Sequence, residues 1–270
     1  MKKIGLSKIA LYIFLVIAGF VSVFPFYWMV SGATNKSIEI VRGKMLPGLN
    51  LIENAKALLN TIPILPGFFN SLRNAAIGTL GSLFICSMAG YGFQIYRSKA
   101  KDRVMSILLL SMMIPFAAVM VPLFRLTSAL KLLNTTAGIV LPGLSTAFLI
   151  FFFRQCSQSF PMEIVQAARV DGVGEFGIYV RVYFPIMAPT FAAAGIVSFM
   201  GAWNNYLWPL IVLQKETSRT LPILIAQLTQ GYVIDYGLLA LAITVTTIPT
   251  MLIFFTQQRR FVEGIMGSVK

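Results

Sequence analysis

Polar and charged residues divide the chain into six long apolar runs, at about 9–31, 74–96, 104–124, 135–153, 190–213 and 236–256. Each is close to the roughly 20 residues an α-helix needs to cross a hydrocarbon core about 30 Å thick. The pattern predicts an all-α integral membrane protein with six transmembrane helices in a single domain over residues 1–270. Gly78, Gly81, Ser82, Ser87, Ala89, Gly90 and Gly92 stud the second run, and such small residues let helices approach closely in a membrane. Pro115 and Pro122 fall in or near the end of the third run and predict a kink or a broken helix there. Residues 34–69 are charged and rich in Pro and Gly, so they read as a loop with one short helix near 51–59. Residues 221–228 are apolar but too few to span, and predict a short re-entrant or interfacial helix. Ser31-Gly32-Ala33 mimics a signal-peptide cleavage site. The apolar run before it exceeds the roughly 7–15 residues of a signal sequence, which favours an uncleaved anchor.

A second long polar-containing interruption is 161–185, PMEIVQAARVDGVGEFGIYVRVYFP. Pro161 suits a first helical turn, where its missing N–H is no loss. Glu163 follows, where a carboxylate meets the positive end of the helix dipole. Ile164, Ala167 and Ala168 fall at i, i+3 and i+4 and share a face. Gly172 is placed to end this helix in a left-handed turn. A second helical segment, 175–184, is expected to stop at Pro185. By spacing alone, the stretch also describes an ordinary amphipathic helix–turn–helix on a membrane surface.

Gln166-Ala167-Ala168, then Gly172, then Val182-x-Phe184-Pro185 resembles the EAA loop of ABC-importer permeases, closest to the sugar (maltose-transporter-like) group. Two further stretches agree in order. Trp203-Asn204-Asn205 resembles the fifth-span signature of that group, and the tail from Gln258 through Gly267-Ser268-Val269-Lys270 resembles its C-terminus. The resemblance implies a type I importer (MetI-like) fold. It implies that 154–189 is a cytoplasmic loop whose residues Glu163, Gln166, Ala167, Ala168, Asp171 and Gly172 couple to an ATPase subunit. It implies that the last four residues reach the same ATPase. The implied partners are a second homologous permease, two ATPase subunits or domains, an extracytoplasmic solute-binding protein and membrane lipid. Gln166 departs from the glutamate of the family pattern, which removes an ion pair and leaves an amide able to hydrogen-bond.

Composition adds the class. The chain of 270 residues is 57% hydrophobic and only 11% charged, against about a quarter charged in soluble domains, and its mean hydropathy is +0.79. The net charge of +13 would suggest nucleic acid in a soluble protein. Here the Lys and Arg flank apolar spans and set orientation. Lys2, Lys3 and Lys8, the cluster Arg97 to Arg103, Arg154, Arg169, Arg181, and Arg259, Arg260 and Lys270 fall on one side if the spans alternate, thirteen of the 22 basic residues. Both termini are therefore expected on the cytoplasmic side, and the resemblance implies a prokaryotic inner or plasma membrane.

With no histidine, His-based metal sites and acid–base catalysis are excluded, and Cys86 and Cys156 lack ligand spacing. No P-loop string occurs, so ATP and Mg belong to a partner and no cofactor is expected in this chain. Gly172-x-Gly174-x-x-Gly177 matches a dinucleotide fingerprint but follows a helix rather than a strand, so it carries no such reading. The spans hold no carboxylate, which disfavours a proton-coupled carrier without excluding sodium held by carbonyls.

Amides and indoles bind neutral hydroxylated ligands without charge, so Trp203, Asn204 and Asn205 are candidates for a sugar path. Interhelical hydrogen bonding and an interfacial aromatic belt explain the same residues. The reading is a non-enzymatic permease subunit of an ATP-driven importer for a sugar or oligosaccharide. An importer for another polar solute, or a carrier or channel acting alone, is the alternative.

Overall fold

A computed structural model describes the chain from Leu6 to Met266, and among those residues every regular element is helical. Three helices are long and apolar enough to cross a membrane unaided: α1 (Leu6–Ala33), α4 (Ile64–Ile95) and α15 (Tyr236–Met266). Between α1 and α4 lie the short α2 (Ser37–Val41) and α3 (Leu51–Thr61). α5 (Lys99–Ser111) and α6 (Phe116–Ala129) follow, bent by 98°. α7 (Thr136–Val140), extended by a 3₁₀ turn to Gly143, meets α8 (Ala147–Cys156) at 49°. Next come α9 (Met162–Val170) and a composite helix over Glu175–Ile186. The latter consists of α10 (Glu175–Ile178), a π-helical turn at Tyr179–Tyr183 and α11 (Phe184–Ile186). It meets α12 (Ala188–Trp203) at 82°. α13 (Leu207–Val212) and α14 (Leu221–Gln227) precede α15. If each bent pair counts as one crossing, the chain has up to six spans.

Proline chemistry explains the departures from the apolar pattern. α4 begins at Ile64, ten residues before the second apolar run, because Pro66 falls in its first turn, where no intrahelical N–H bond is lost. The third apolar run breaks at 112–115, and Pro115 caps α6 with an extended backbone (ψ 139°). Pro122 is carried inside α6. The fifth run is interrupted at Asn204 to Tyr206, so the helix over its first part stops at Trp203.

The fold divides into two compact units. One comprises the chain up to Leu65 and Leu224–Ile248. Asn35, fully buried, donates through Nδ2 to Ser31 O and Leu46 O at 2.9 Å each. Asn54 Nδ2 donates to Ala33 O at 2.9 Å and Asn35 O at 3.0 Å. These bonds close the turn after α1 onto α3. Ser37 Oγ accepts from Tyr236 N at 2.9 Å, and Asp235 Oδ1 accepts from Gly237 N at 3.0 Å, which caps α15. None of the most apolar stretch of α1 is buried in the chain, so that surface is left to lipid or another subunit.

The second unit comprises Pro66–Ile223 and the chain from Pro249. Its core gathers Cys86 and Tyr91 of α4, Phe153 of α8, Val165 and Ala168 of α9, Tyr179 and Tyr183 of the π turn, and Phe191 of α12. Gly90 is what brings α4 against α8: a Cβ there would lie 2.5 Å from Phe153 Cβ and 2.8 Å from Arg154 N.

Candidate functional site

α9 is a short helix with matched ends. Glu163 sits in its first turn and Arg169 in its last, each complementing the helix dipole. Gly172 adopts φ +77°, the left-handed conformation anticipated from the sequence. Its N–H donates to Arg169 O and that of Val173 to Ala168 O, both at 3.0 Å. This pair of bonds is a Schellman closure, which satisfies carbonyls the helix end would otherwise leave open. Arg169 Nε then donates to Glu175 Oε1 at 2.7 Å across the elbow, and the Arg169 guanidinium lies 5.5 Å over the Tyr96 ring.

The three residues that spacing places on one face of α9 divide between the core and the exterior. Val165 (0% exposed) and Ala168 (9%) face the core of the unit with Met162, whereas Ile164 and Ala167 point outward with Glu163, Gln166 and Asp171. Val173, which bonds back to Ala168, also packs against that core and fixes the register. Ile164 (39% exposed) and Val170 (88%) are thus apolar side chains held in the open beside Gln166 and Ala167.

Two hydroxyl latches join this segment to the spans. Ser157 Oγ donates to Phe153 O at 2.6 Å, which leaves Tyr183 OH to donate to Ser157 Oγ at 2.7 Å. Ser87 Oγ likewise donates to the main chain of α4 and pairs with Tyr179 OH at 2.6 Å. Tyr179 and Tyr183 stack at 5.7 Å, and Tyr91 meets the Tyr183 ring edge-on at 4.8 Å. Arg154, at the end of α8, pairs with Asp102 of α5, whose other oxygen lies 3.5 Å from Arg97 Nε.

The Trp-Asn stretch divides between packing and cavity. Trp203 is 1% exposed, stacked on Phe199 at 5.7 Å and edge-on to Phe68 at 5.6 Å. Asn204 donates to Met200 O at 2.9 Å and faces a shallow recess with Phe116 and Leu207. Asn205 reaches the wall of a cavity of about 340 Å³ that α4, the α7–α8 bend and α12 enclose. Asn74, Ser82, Thr146 and Ser198 supply its other polar groups. Trp203 is not among the lining residues, so the structure brings Asn205 together with Asn74, Thr146 and Ser198, which the sequence did not single out, and with Ser82, which it marked only as a small residue for helix contact. Only their polarity inside apolar runs could have pointed to them. Gly267, Ser268, Val269 and Lys270 lie outside the described residues. No group of His, Cys, Asp and Glu among the described residues is arranged to hold a metal ion.

Residues 81–266 match the family described as binding-protein-dependent transport system inner membrane component. The chain belongs to that family. The permease is similar over most of its length to named members. It is 45% identical to the lactose transport system permease protein LacG of Rhizobium radiobacter, over 98% of this chain and 97% of that protein. It is 35% identical to the arabinooligosaccharides transport system permease protein AraQ of Bacillus subtilis, over 99% and 98%. It is 27% identical to the sn-glycerol-3-phosphate transport system permease protein UgpE of Escherichia coli, over 93% and 92%. A crystal structure of a bacterial ABC transporter involved in import of the acidic polysaccharide alginate contains a chain with the same fold. Its TM-score is 0.84 at 20% identity, covering 97% of this permease and all of that chain. The permease is thus a transport subunit of the inner membrane, working in a system that depends on a binding protein and, as an ABC permease, on an ATPase.

Proposed function

We propose that this permease carries a neutral sugar or oligosaccharide inward, and that the outward face of α9 couples the movement to ATP hydrolysis in a partner chain. The observation that carries the coupling role is the two-sided build of α9. One face is locked by Val165, the Schellman closure and the Arg169–Glu175 bridge, while Ile164, Gln166, Ala167 and Val170 stand free of the rest of the unit. A helix held this way transmits displacement rather than absorbing it. ATP and Mg are bound by two ATPase subunits or domains on the cytoplasmic side. A second homologous permease completes the pathway, and an extracytoplasmic solute-binding protein delivers the solute. Lipid covers the remaining apolar surface, and no nucleic acid is involved. In this reading 154–189 and both termini face the cytoplasm, as the flanking Lys and Arg favour. The names of the lactose and arabinooligosaccharide relatives support a carbohydrate cargo.

The sn-glycerol-3-phosphate relative favours a second reading, a different polar solute on the same fold. Uptake into vesicles carrying the complete transporter, with lactose, an arabino-oligosaccharide and sn-glycerol-3-phosphate compared, separates the two. ATP-dependent uptake of a neutral sugar supports the first. Uptake of the phosphate ester alone supports the second. Uptake of any of them without ATP would mean a carrier acting alone.

A further inference from the structure

We infer that Tyr96, the residue directly after α4, is a positioning residue for coupling: through it, α9 and the elbow at Gly172 displace α4. This rests on the coupling role proposed for α9 above and gives that role a path into the spans. Two cations from different elements lie over the Tyr96 ring, Lys101 Nζ of α5 at 5.0 Å and the Arg169 guanidinium of α9 at 5.5 Å. A cation within about 6 Å of a ring centroid is attracted by the negative face of the ring. Lys101 Nζ also donates to Gly92 O of α4 at 3.0 Å. The Glu175 carboxyl of α10 is held below the usual carboxylate range by Arg169 and, second, by a hydrogen bond from the Tyr96 hydroxyl. One side chain thus joins the end of α4 to α5, α9 and α10.

Tyr96 is placed to transmit rather than to support. It is 41% exposed, so little of the core depends on it. Its ring meets Tyr91 edge-on at 6.5 Å, and Tyr91 belongs to the core with Tyr179 and Tyr183. The apolar contacts of Val165 and Ala168 hold α9 against the unit without fixing its angle, because hydrophobic contact is non-directional. The charged contacts at Tyr96 supply the direction. α4 runs as one helix of 32 residues up to Ile95, so a push on its end at Tyr96 is carried along its length.

The test uses the complete transporter with its binding protein in vesicles, supplied with whichever of lactose, an arabino-oligosaccharide and sn-glycerol-3-phosphate the wild type takes up. Solute taken up per ATP hydrolysed is read together with the thermal midpoint of the same complexes. Tyr96→Leu keeps apolar bulk but removes the ring and the hydroxyl. It is expected to lower the ratio roughly fivefold, the scale of two cation–ring contacts at an exposed site, with little change in midpoint. Tyr96→Phe keeps the ring beneath both cations and is expected to retain most of the ratio. Added to Arg169→Gln, Tyr96→Leu is expected to cost little more, since the contact it removes is already gone. An unchanged ratio in Tyr96→Leu, or a loss fully additive with that of Arg169→Gln, overturns the inference and leaves the cluster a surface ion pair. A ratio that merely follows the midpoint across the Leu and Phe variants overturns it as well, because a structural role gives that result. Ala167→Asp, on the exposed face of α9, tells the two proposals apart. If it leaves the ratio unchanged, the coupling role of α9 fails and this inference with it. If it lowers the ratio while Tyr96→Leu does not, only the role of Tyr96 fails.

Discussion

Replacing Ser157 is expected to harm the protein more than replacing Tyr183, although both changes remove the same contact. Tyr183 is fully buried, and its hydroxyl donates to Ser157 Oγ at 2.7 Å, while Ser157 passes its own proton to Phe153 O. Tyr183→Phe keeps the ring against Tyr91 and Phe160 and strands nothing, since Ser157 still has its acceptor. Its cost is the net value of one hydrogen bond, about 1 kcal/mol. Ser157→Ala leaves a phenol hydroxyl sealed in the core without an acceptor, which costs about 2 kcal/mol or more. Adding Tyr183→Phe to Ser157→Ala removes that orphan and is expected to recover part of the loss, so the double variant should be more stable than Ser157→Ala alone. Thermal unfolding of the purified complex in detergent reads the order. Solute-stimulated ATP hydrolysis on the same samples reads whether the latch also serves coupling. Additive losses, or Tyr183→Phe as damaging as Ser157→Ala, would refute the assigned direction of the bond and the idea that the latch is a sealed pair.

Gly90→Ala is expected to cost about 3 kcal/mol, as overpacking of a tight helix contact does, because its Cβ would meet Phe153 and Arg154 N. Gly92→Ala, where a Cβ meets nothing within 4 Å, should be tolerated; yields of folded complex compare them. At Gly172 a Cβ also meets open space, so only the φ of +77° penalises substitution. Gly172→Val is expected to lose about 2 kcal/mol and Gly172→Asn clearly less, in thermal midpoint and in solute-stimulated ATPase alike. Glu39 Oε1 accepts from Lys44 Nζ and Oε2 from Lys36 N, bonds that hold its carboxyl below the usual carboxylate range. A depressed folded value stabilises at higher pH and is lost as pH falls through it. Hydrogen exchange around α2 should therefore rise only in strong acid, and Glu39→Gln should remove that pH dependence.

The spans and the polar segment were legible because membrane thickness fixes the length of an apolar run and the Gly172 turn has a local signature. The break at Pro115 was legible for the same kind of reason. The start of α4 was not, since Pro66 and Gly67 read as loop residues until the helix is known to accept Pro66 in its first turn. The burial of Ala168 was not legible, because sequence spacing gives which residues share a face but not which way the face points. Tyr179 and Tyr183 are four apart, yet their partners Ser87 and Ser157 lie 92 and 26 positions away. Contacts that distant in sequence leave no local trace. The cavity escaped for the same reason: Asn74 and Ser198 are single polar residues on different helices.

Site-directed cross-linking in the complete transporter tests the coupling role of α9 most directly. Single cysteines at Ala167, on the exposed face, and at Val165, on the buried face, are treated with a short thiol-reactive cross-linker, with and without ATP. Ala167→Cys is expected to join the permease to its ATPase partner with a yield that changes with ATP, and Val165→Cys to give no adduct. If both fail, or if Ala167→Cys links only to lipid or to the second permease, α9 is not the contact that couples ATP hydrolysis to transport.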